Sequence, residues 1–244
     1  MGIQVNWGVV TTEDIDEELV SREPLLLVPE ELSISTILAK EKLAPILKAA
    51  NLPSLEELDA VLPLALFLAY ERNKGQGSFW QPYLGLLPEQ PGCAWLMHPE
   101  ELTQALQQVK QLVGAEAQDW ESKVQDAKDA VNFQASAMAT AYSKELNVSA
   151  DDILWGMGQQ QALVAPSCGM LSFIPDELHR AVIRYTGTED SRPFVFVSSV
   201  WDNEPRPLAT GDELFISYMA ATPPLTAFLN LGFVPEELLS QRFD

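Results

Sequence analysis

The sequence GDELFISY at residues 211–218 is the stretch around which this chain is organised. Its Gly-Asp pair is a turn signal, the apolar residues that follow predict a short strand, and Tyr218 stands where that strand ends. Shortly after it, residues 227–234 (AFLNLGFV) form an apolar run with a glycine that lets the backbone turn tightly. We expect the two segments to form the floor of a pocket, with Tyr218 pointing into it. A tyrosine at a strand end usually has a structural role, so a catalytic role needs support from the rest of the chain.

The charge of the chain limits its partners. Among 244 residues, 35 acidic side chains oppose 15 basic ones, which gives a formal net charge of −20. This disfavours binding to nucleic acid or to an anionic membrane and is compatible with a basic protein or peptide, although an acidic surface also simply keeps a protein in solution. No apolar run reaches the length of a membrane span, and we expect no signal peptide or transit segment, because the first residues have neither a basic n-region nor an arginine- and serine-rich composition. We therefore expect a soluble, intracellular protein; chloroplast, nucleus and cytoplasm are not distinguished.

The cysteines and histidines do not indicate a metal site. The chain has two cysteines, Cys93 and Cys168, and two histidines, His98 and His179. No CxxC pair is present, and a structural zinc site usually needs such closely spaced ligands. We expect no metal.

The order of predicted elements is strands, then helices, then strands. Strands are predicted at 3–10 and 25–29, a helical block follows at 34–161, and short strands return from 162 to 218. A helical insertion between two halves of one β-structure explains this order better than three independent domains. We therefore predict an α+β fold in which 1–33 and 162–244 are the halves of a β-fold and 34–161 is the insert. The terminal strands would then meet, which would place Trp7 and Gly8 near Tyr218.

Five stretches of the chain carry a resemblance to a known family. They are 6–10 (NWGVV), 64–71 (LALFLAYE), 77–83 (GSFWQPY), 153–158 (ILWGMG) and 211–218 (GDELFISY). Together they resemble the SET-domain protein-lysine methyltransferases. The similarity is strongest to the branch that includes the Rubisco large-subunit and actin-histidine methyltransferases, in which a helical insert splits the SET fold.

The resemblance implies a fold, an activity and a set of site residues. The fold would be a SET-type β-fold of short strands from both chain ends, interrupted by the insert. The activity would be transfer of a methyl group from S-adenosylmethionine to a lysine of a protein or peptide. Tyr218 would be the catalytic residue, because the family's tyrosine orients the methyl group and the incoming nitrogen. Leu231 and Phe233 would line the substrate channel. The implied cofactor-binding residues are Asn6, Trp7, Leu178, His179 and Tyr218.

Several positions depart from the family's pattern. Leu178 stands where the family has the asparagine of an Asn-His pair, and leucine cannot make the polar contacts of an amide. Leu163 stands where the branch has an arginine, Met219 replaces a glycine and Leu231 a tyrosine. The branch's helical C-terminal substrate-binding domain is also not expected here. These departures favour an alternative hypothesis, a catalytically degenerate SET domain that acts as a scaffold or protein-binding subunit. An unrelated α+β protein is a third interpretation.

Overall fold

The structure is a computed structural model of the chain. It describes residues 9–18, 26–28, 32, 34–163, 180–185, 194–199, 207–216, 223–234 and 238. The chain divides into two compact units. Met1–Ser33 and Ala165–Ala221 form the first, called here the strand unit, and Ile34–Val164 with Thr222–Asp244 form the second, called the helical unit. The two segments predicted to form the pocket floor, 211–218 and 227–234, thus belong to different units.

The helical unit contains seven α-helices within the described residues. Its buried core extends from Ala39 in the first helix to Met157 in the sixth, and the largest fully enclosed side chains include Leu43, Phe67 and Ile153. Within these described residues, no helix is both long and apolar enough to cross a bilayer. The helices are α1 (Thr36–Ala49), α2 (Val61–Asn73), α3 (Gln81–Leu84), α4 (Pro99–Val113), α5 (Trp120–Leu146), α6 (Ala150–Leu163) and α7 (Pro224–Leu231).

Helices α2 and α6 pack closely at the centre of this unit. The sequence predicts α2 over 55–72, with its long part beginning at Pro63, whereas the observed helix begins at Val61. It begins there because the Asp59 carboxylate accepts hydrogen bonds from the first two backbone N–H groups of the helix. On α6, Gly156 lies directly against Ala65 of α2, and a Cβ atom at Gly156 would collide with the Ala65 carbonyl. The glycine therefore permits a backbone approach that any larger residue would prevent.

A buried carboxylate fixes the loop after α2. Glu71 is only 3% exposed, and its Oε1 accepts a hydrogen bond from Lys74 Nζ at 2.8 Å. Its Oε2 accepts a bond from the Ser78 hydroxyl at 2.6 Å, and that hydroxyl oxygen accepts one from the Trp80 N–H at 3.1 Å. Because a buried charge needs a partner and hydrogen bonds, this chain of contacts holds the loop in a single arrangement.

Within the described residues, the strand unit contains the strands β1 (Val9–Val10), β2 (Leu26–Val28), β3 (Arg180–Tyr185), β4 (Phe194–Ser199) and β5 (Glu213–Ile216). These five strands form one sheet with the order β1-β5-β3-β4-β2. Strand β5 runs parallel to β3, and the other neighbours are antiparallel. Val9 of β1 pairs with Leu214 of β5, so strands from the two ends of the chain meet, as expected.

The dominance of helix in the described residues contradicts the predicted fold class. We predicted an α+β fold whose framework is a SET-type β-fold of short strands, with the helices as an insertion. The described strands have two to six residues each, whereas α5 alone has 27. The predicted fold class was wrong because residues 34–163 are more than an insertion in a sheet. The apolar faces of their helices pack on one another and form a hydrophobic core of their own.

Candidate functional site

Most of the predicted site residues lie outside the described residues. This applies to Asn6, Trp7, Leu178, His179 and Tyr218, and also to Met219, one of the departures from the family pattern. The described part of the predicted site therefore falls into two segments, which are treated separately: the residues that lead to Tyr218, in the strand unit, and the residues around Leu231 and Phe233, in the helical unit.

The segment that leads to Tyr218 is a turn followed by β5. Gly211 has φ +91°, a left-handed conformation that glycine adopts without strain. The Gly211 N–H donates to the Thr11 carbonyl at 2.9 Å, and the Thr11 N–H donates to the Asp212 carbonyl at 2.9 Å. These two bonds extend the β1–β5 pairing to the turn, so the strand that precedes Tyr218 begins at a fixed point beside the N-terminal strand.

Asp14 adds further contacts between the N-terminal segment and the turn before β5. Its carboxylate accepts hydrogen bonds from the Thr210 backbone N–H at 2.8 Å and from the Thr210 hydroxyl at 2.9 Å. These bonds favour the ionised form and lower the pKa of Asp14 below its usual value. Next to it, Ile15 and Leu208 exchange two backbone hydrogen bonds of 2.8 Å. Asp14 and Ile15 thus tie the N-terminal segment to residues 208–210.

In the helical unit, α7 positions Leu231 and Phe233. The helix ends at Leu231, and Gly232 follows with φ +78° while its N–H donates to the Phe228 carbonyl at 2.8 Å. This is the usual way for a glycine to end a helix. Leu231 is partly buried and Val234 is buried, whereas Phe233 is 57% exposed. The ring of Phe233 therefore faces solvent, although the residues on either side of it, Gly232 and Val234, are buried.

The backbone at Gly232 is held by a close approach to Gly92. A Cβ atom on Gly232 would collide with the carbonyl oxygen of Gly92 and with the methyl group of Met97. A Cβ atom on Gly92 would lie 3.2 Å from the Leu231 carbonyl oxygen. The Gly92 segment therefore determines where the end of α7, and with it Phe233, is placed. Sequence reasoning missed this contact, although the Pro91-Gly92 dipeptide was a signal for a turn.

The segment after Gly92 is anchored in the core. Cys93 is fully buried, and its thiol contacts the Gly158 carbonyl on α6 at 3.5 Å. Burial raises the pKa of the Cys93 thiol to about 12, so it stays protonated at neutral pH and is not a nucleophile. Gly158 has no room for a side chain, since a Cβ atom there would lie 2.7 Å from Leu96. The role of Cys93 is therefore packing.

No metal cluster is seen in the part of the chain that the structure describes: no three histidine, cysteine, aspartate or glutamate side chains gather there as a cation would require.

Comparison with solved structures finds SET domains. The chain is similar to the SET domain of LSMT bound to lysine and AdoHcy (19% identity, TM-score 0.62) and to the same domain bound to MeLysine and AdoHcy (22% identity, TM-score 0.62). Each likeness covers 93% of this chain and 50% of the solved chain. The chain has the fold of these SET domains. It is also similar to Rubisco LSMT bound to AdoMet, with 19% identity, a TM-score of 0.61 and coverage of 93% and 49%.

The chain with this SET fold spans about half the length of the solved chains it matches. No protein-family model matches it, and a search of curated proteins finds no match. The likeness therefore shows the fold, and the activity is argued below as a proposal.

Proposed function

We propose that this chain is a SET-domain methyltransferase that transfers a methyl group from S-adenosylmethionine to a lysine of a protein or peptide. The observation that carries the proposal is the structural likeness over 93% of the chain to SET domains that were solved with AdoHcy and either lysine or methyllysine. Each of the two described segments contains a left-handed glycine with a fixed backbone: the Gly211 N–H donates to the Thr11 carbonyl, and Gly232 lies against Gly92.

The reaction sets the requirements for the site. S-adenosylmethionine supplies the methyl group as a sulfonium substituent, and the lysine nitrogen must approach it in line. A lysine ammonium has no free lone pair, so the side chain must lose its proton before transfer, and an apolar channel that disfavours the charged form helps. In this proposal, Tyr218 orients the incoming nitrogen, and Leu231 with Phe233 lines the channel. The exposed ring of Phe233 is accessible to the aliphatic stem of a lysine.

The remaining assignments concern the cofactor. We propose that the backbone at Asn6 and Trp7, together with the side chain of His179 and its neighbour Leu178, contacts S-adenosylmethionine, and that Tyr218 completes the site. The described junction between β1 and the turn before β5 supports this assignment, because it joins the segment that follows Trp7 to the segment that precedes Tyr218.

The first experiment is calorimetric titration of the protein with S-adenosylmethionine and with S-adenosylhomocysteine. We expect micromolar binding. Transfer of a labelled methyl group to lysine-containing proteins should then fall about a hundredfold in Tyr218→Phe, on the scale of losing one positioned hydrogen-bond donor. Tyr83→Phe is the matched control, because it makes the same chemical change on α3 and should keep full activity. No binding at millimolar ligand would contradict the proposal and leave the degenerate scaffold as the surviving hypothesis.

A further inference from the structure

A groove of about 650 Å³ lies between the first turns of α4 and α5 in the helical unit. Its floor is apolar and includes Met97, Leu102 and the buried side chains of Leu106 and Val124. Polar groups also line the groove: the Thr103 hydroxyl from α4, and amide, hydroxyl, carboxylate and ammonium groups from α5 and the two residues before it. A concave surface that combines apolar and polar lining groups has the character of a binding site.

Met97 connects this groove to the proposed substrate channel. It lines the groove, and its methyl group also lies where a side chain on Gly232 would be, directly before Phe233. One end of the groove is therefore adjacent to the residue that we assign to the channel wall. A polypeptide that placed a lysine at Phe233 would have its neighbouring residues near the groove.

The charge of the groove favours a cationic occupant. Two carboxylates, Asp119 and Glu121, line it against one ammonium group, Lys128. The N-terminal ends of α4 and α5 contribute about half a positive charge each, and two further carboxylates in the first turn of α4, Glu100 and Glu101, offset this. Lys123 lies 3.9 Å from Asp119, but both side chains are largely exposed, so this pair is weak and can exchange partners. The net charge of −20 on the chain adds a long-range attraction for cations.

We propose that this groove binds the stretch of substrate next to the target lysine, and that this stretch combines arginine or lysine residues with a large aliphatic residue. The aliphatic side chain would lie on the floor at Leu102 and Leu106, and the cationic side chain would face Glu121. The inference rests on the proposed function for the target lysine, but the groove and its charge are independent of the cofactor. The proposal narrows the substrate class from proteins in general to proteins in which the target lysine stands in a basic, partly apolar segment.

The test measures binding of fluorescein-labelled synthetic peptides by anisotropy at low salt. One peptide has a central lysine flanked by arginine and leucine, and the second has glutamate in place of arginine. We expect the basic peptide alone to bind.

Glu121→Lys should weaken that binding about fivefold, since an exposed ion pair contributes up to roughly 1 kcal/mol. Glu41→Lys, an equal charge change on the exposed face of α1, should have little effect. Leu102→Ala should weaken binding at high salt as well, because apolar contacts are not screened.

The outcomes separate the groove from the proposed function. Equal weakening by Glu121→Lys and Glu41→Lys would mean that only the net charge attracts the peptide, and would overturn the proposal. Absence of peptide binding by protein that binds S-adenosylhomocysteine calorimetrically would also overturn it while leaving the methyltransferase intact. If Glu121→Lys weakens peptide binding more than Glu41→Lys does, in a protein that binds no cofactor, the groove proposal is supported and the proposed activity is contradicted.

Discussion

Gly92 and Gly232 approach each other so closely that the carbonyl oxygen of the first occupies the space a side chain on the second would need. The left-handed backbone at Gly232 adds a second constraint, since any other residue at φ +78° is strained by roughly 1–2 kcal/mol. We predict that Gly232→Ala lowers the free energy of unfolding by about 3 kcal/mol, because the collision adds to the backbone strain. Urea denaturation followed by circular dichroism measures the change.

Gly75 provides the matched control for that substitution. It also has a positive φ, +53°, but a Cβ atom there would have no atom within 4 Å. Gly75→Ala should therefore show the backbone strain alone, about 1 kcal/mol. If the two variants lose the same stability, the contact between Gly92 and Gly232 contributes nothing and the argument that it positions Phe233 is lost.

Phe233 should matter for activity and hardly at all for stability. Its side chain is 57% exposed, and exposed substitutions usually change stability by no more than about 0.5 kcal/mol. If Phe233 lines the lysine channel, Phe233→Ala should raise the KM for the protein substrate while the affinity for S-adenosylmethionine stays unchanged. Phe133→Ala, which removes an even more exposed ring from α5, serves as the control and should alter neither quantity. An unchanged KM in Phe233→Ala would remove this residue from the channel.

The contact between α2 and α6 gives a prediction about the core. Because the Cβ atom of Gly156→Ala would collide with the Ala65 carbonyl, the two helices would have to move apart. Overpacking of this kind costs about 1–3 kcal/mol, even though alanine has the higher helix propensity. Gly77→Ala, in a loop where a Cβ atom has open space, is the comparison and should be close to neutral. Thermal unfolding of both proteins provides the measurement, and a stabilised Gly156→Ala would show that the helices are not tightly packed.

The secondary structure was largely predictable because its signals are local. The apolar period and the acidic first turn predict a helix over 100–113, and the absence of proline predicts another over 119–146. The observed α4 and α5 begin and end within one residue of these bounds. The start of α2 was placed too early, because Leu55 and Leu58 continue its apolar pattern while the hydrogen bonds from Asp59 determine the true beginning. The predicted fold class was wrong for a related reason: periodicity identifies helices but does not reveal that the helices form a hydrophobic core of their own.

The contacts around the candidate site were less predictable. The glycine at 232 was recognisable as a tight turn from its place in an apolar run, and its left-handed conformation agrees with that interpretation. Its partner at Gly92 lies far away in the sequence, and nothing local to either glycine indicates the other. The bonds from Thr210 to Asp14 have the same character, since they join residues separated by 196 positions. Assignments that rest on the resemblance alone, including Tyr218 and His179, remain predictions.

The N-terminus of α6 makes a prediction about acid sensitivity. The Asp152 carboxylate accepts hydrogen bonds from the Ser149 N–H at 2.8 Å and hydroxyl at 2.7 Å, and from the Asn73 amide at 3.0 Å. In return, the Ser149 hydroxyl oxygen accepts a bond from the Asp152 N–H at 3.1 Å, which completes a capping box. Burial by itself would raise the pKa of Asp152, but these bonds and the charge of Arg72 outweigh it and lower the pKa.

A carboxylate whose pKa is lower in the folded state stabilises the fold above its unfolded-state pKa, here about 3.8, and loses that contribution as the pH falls through the folded-state value. Asp152→Asn should therefore reduce stability at pH 7 by up to about 1 kcal/mol and differ less from the wild type at pH 3. Urea denaturation at both pH values measures this, with Asp151→Asn as the control that removes one charge from the same turn. A stability difference that is equal at both pH values would mean that the effect comes from hydrogen-bond geometry and not from the ionised carboxylate.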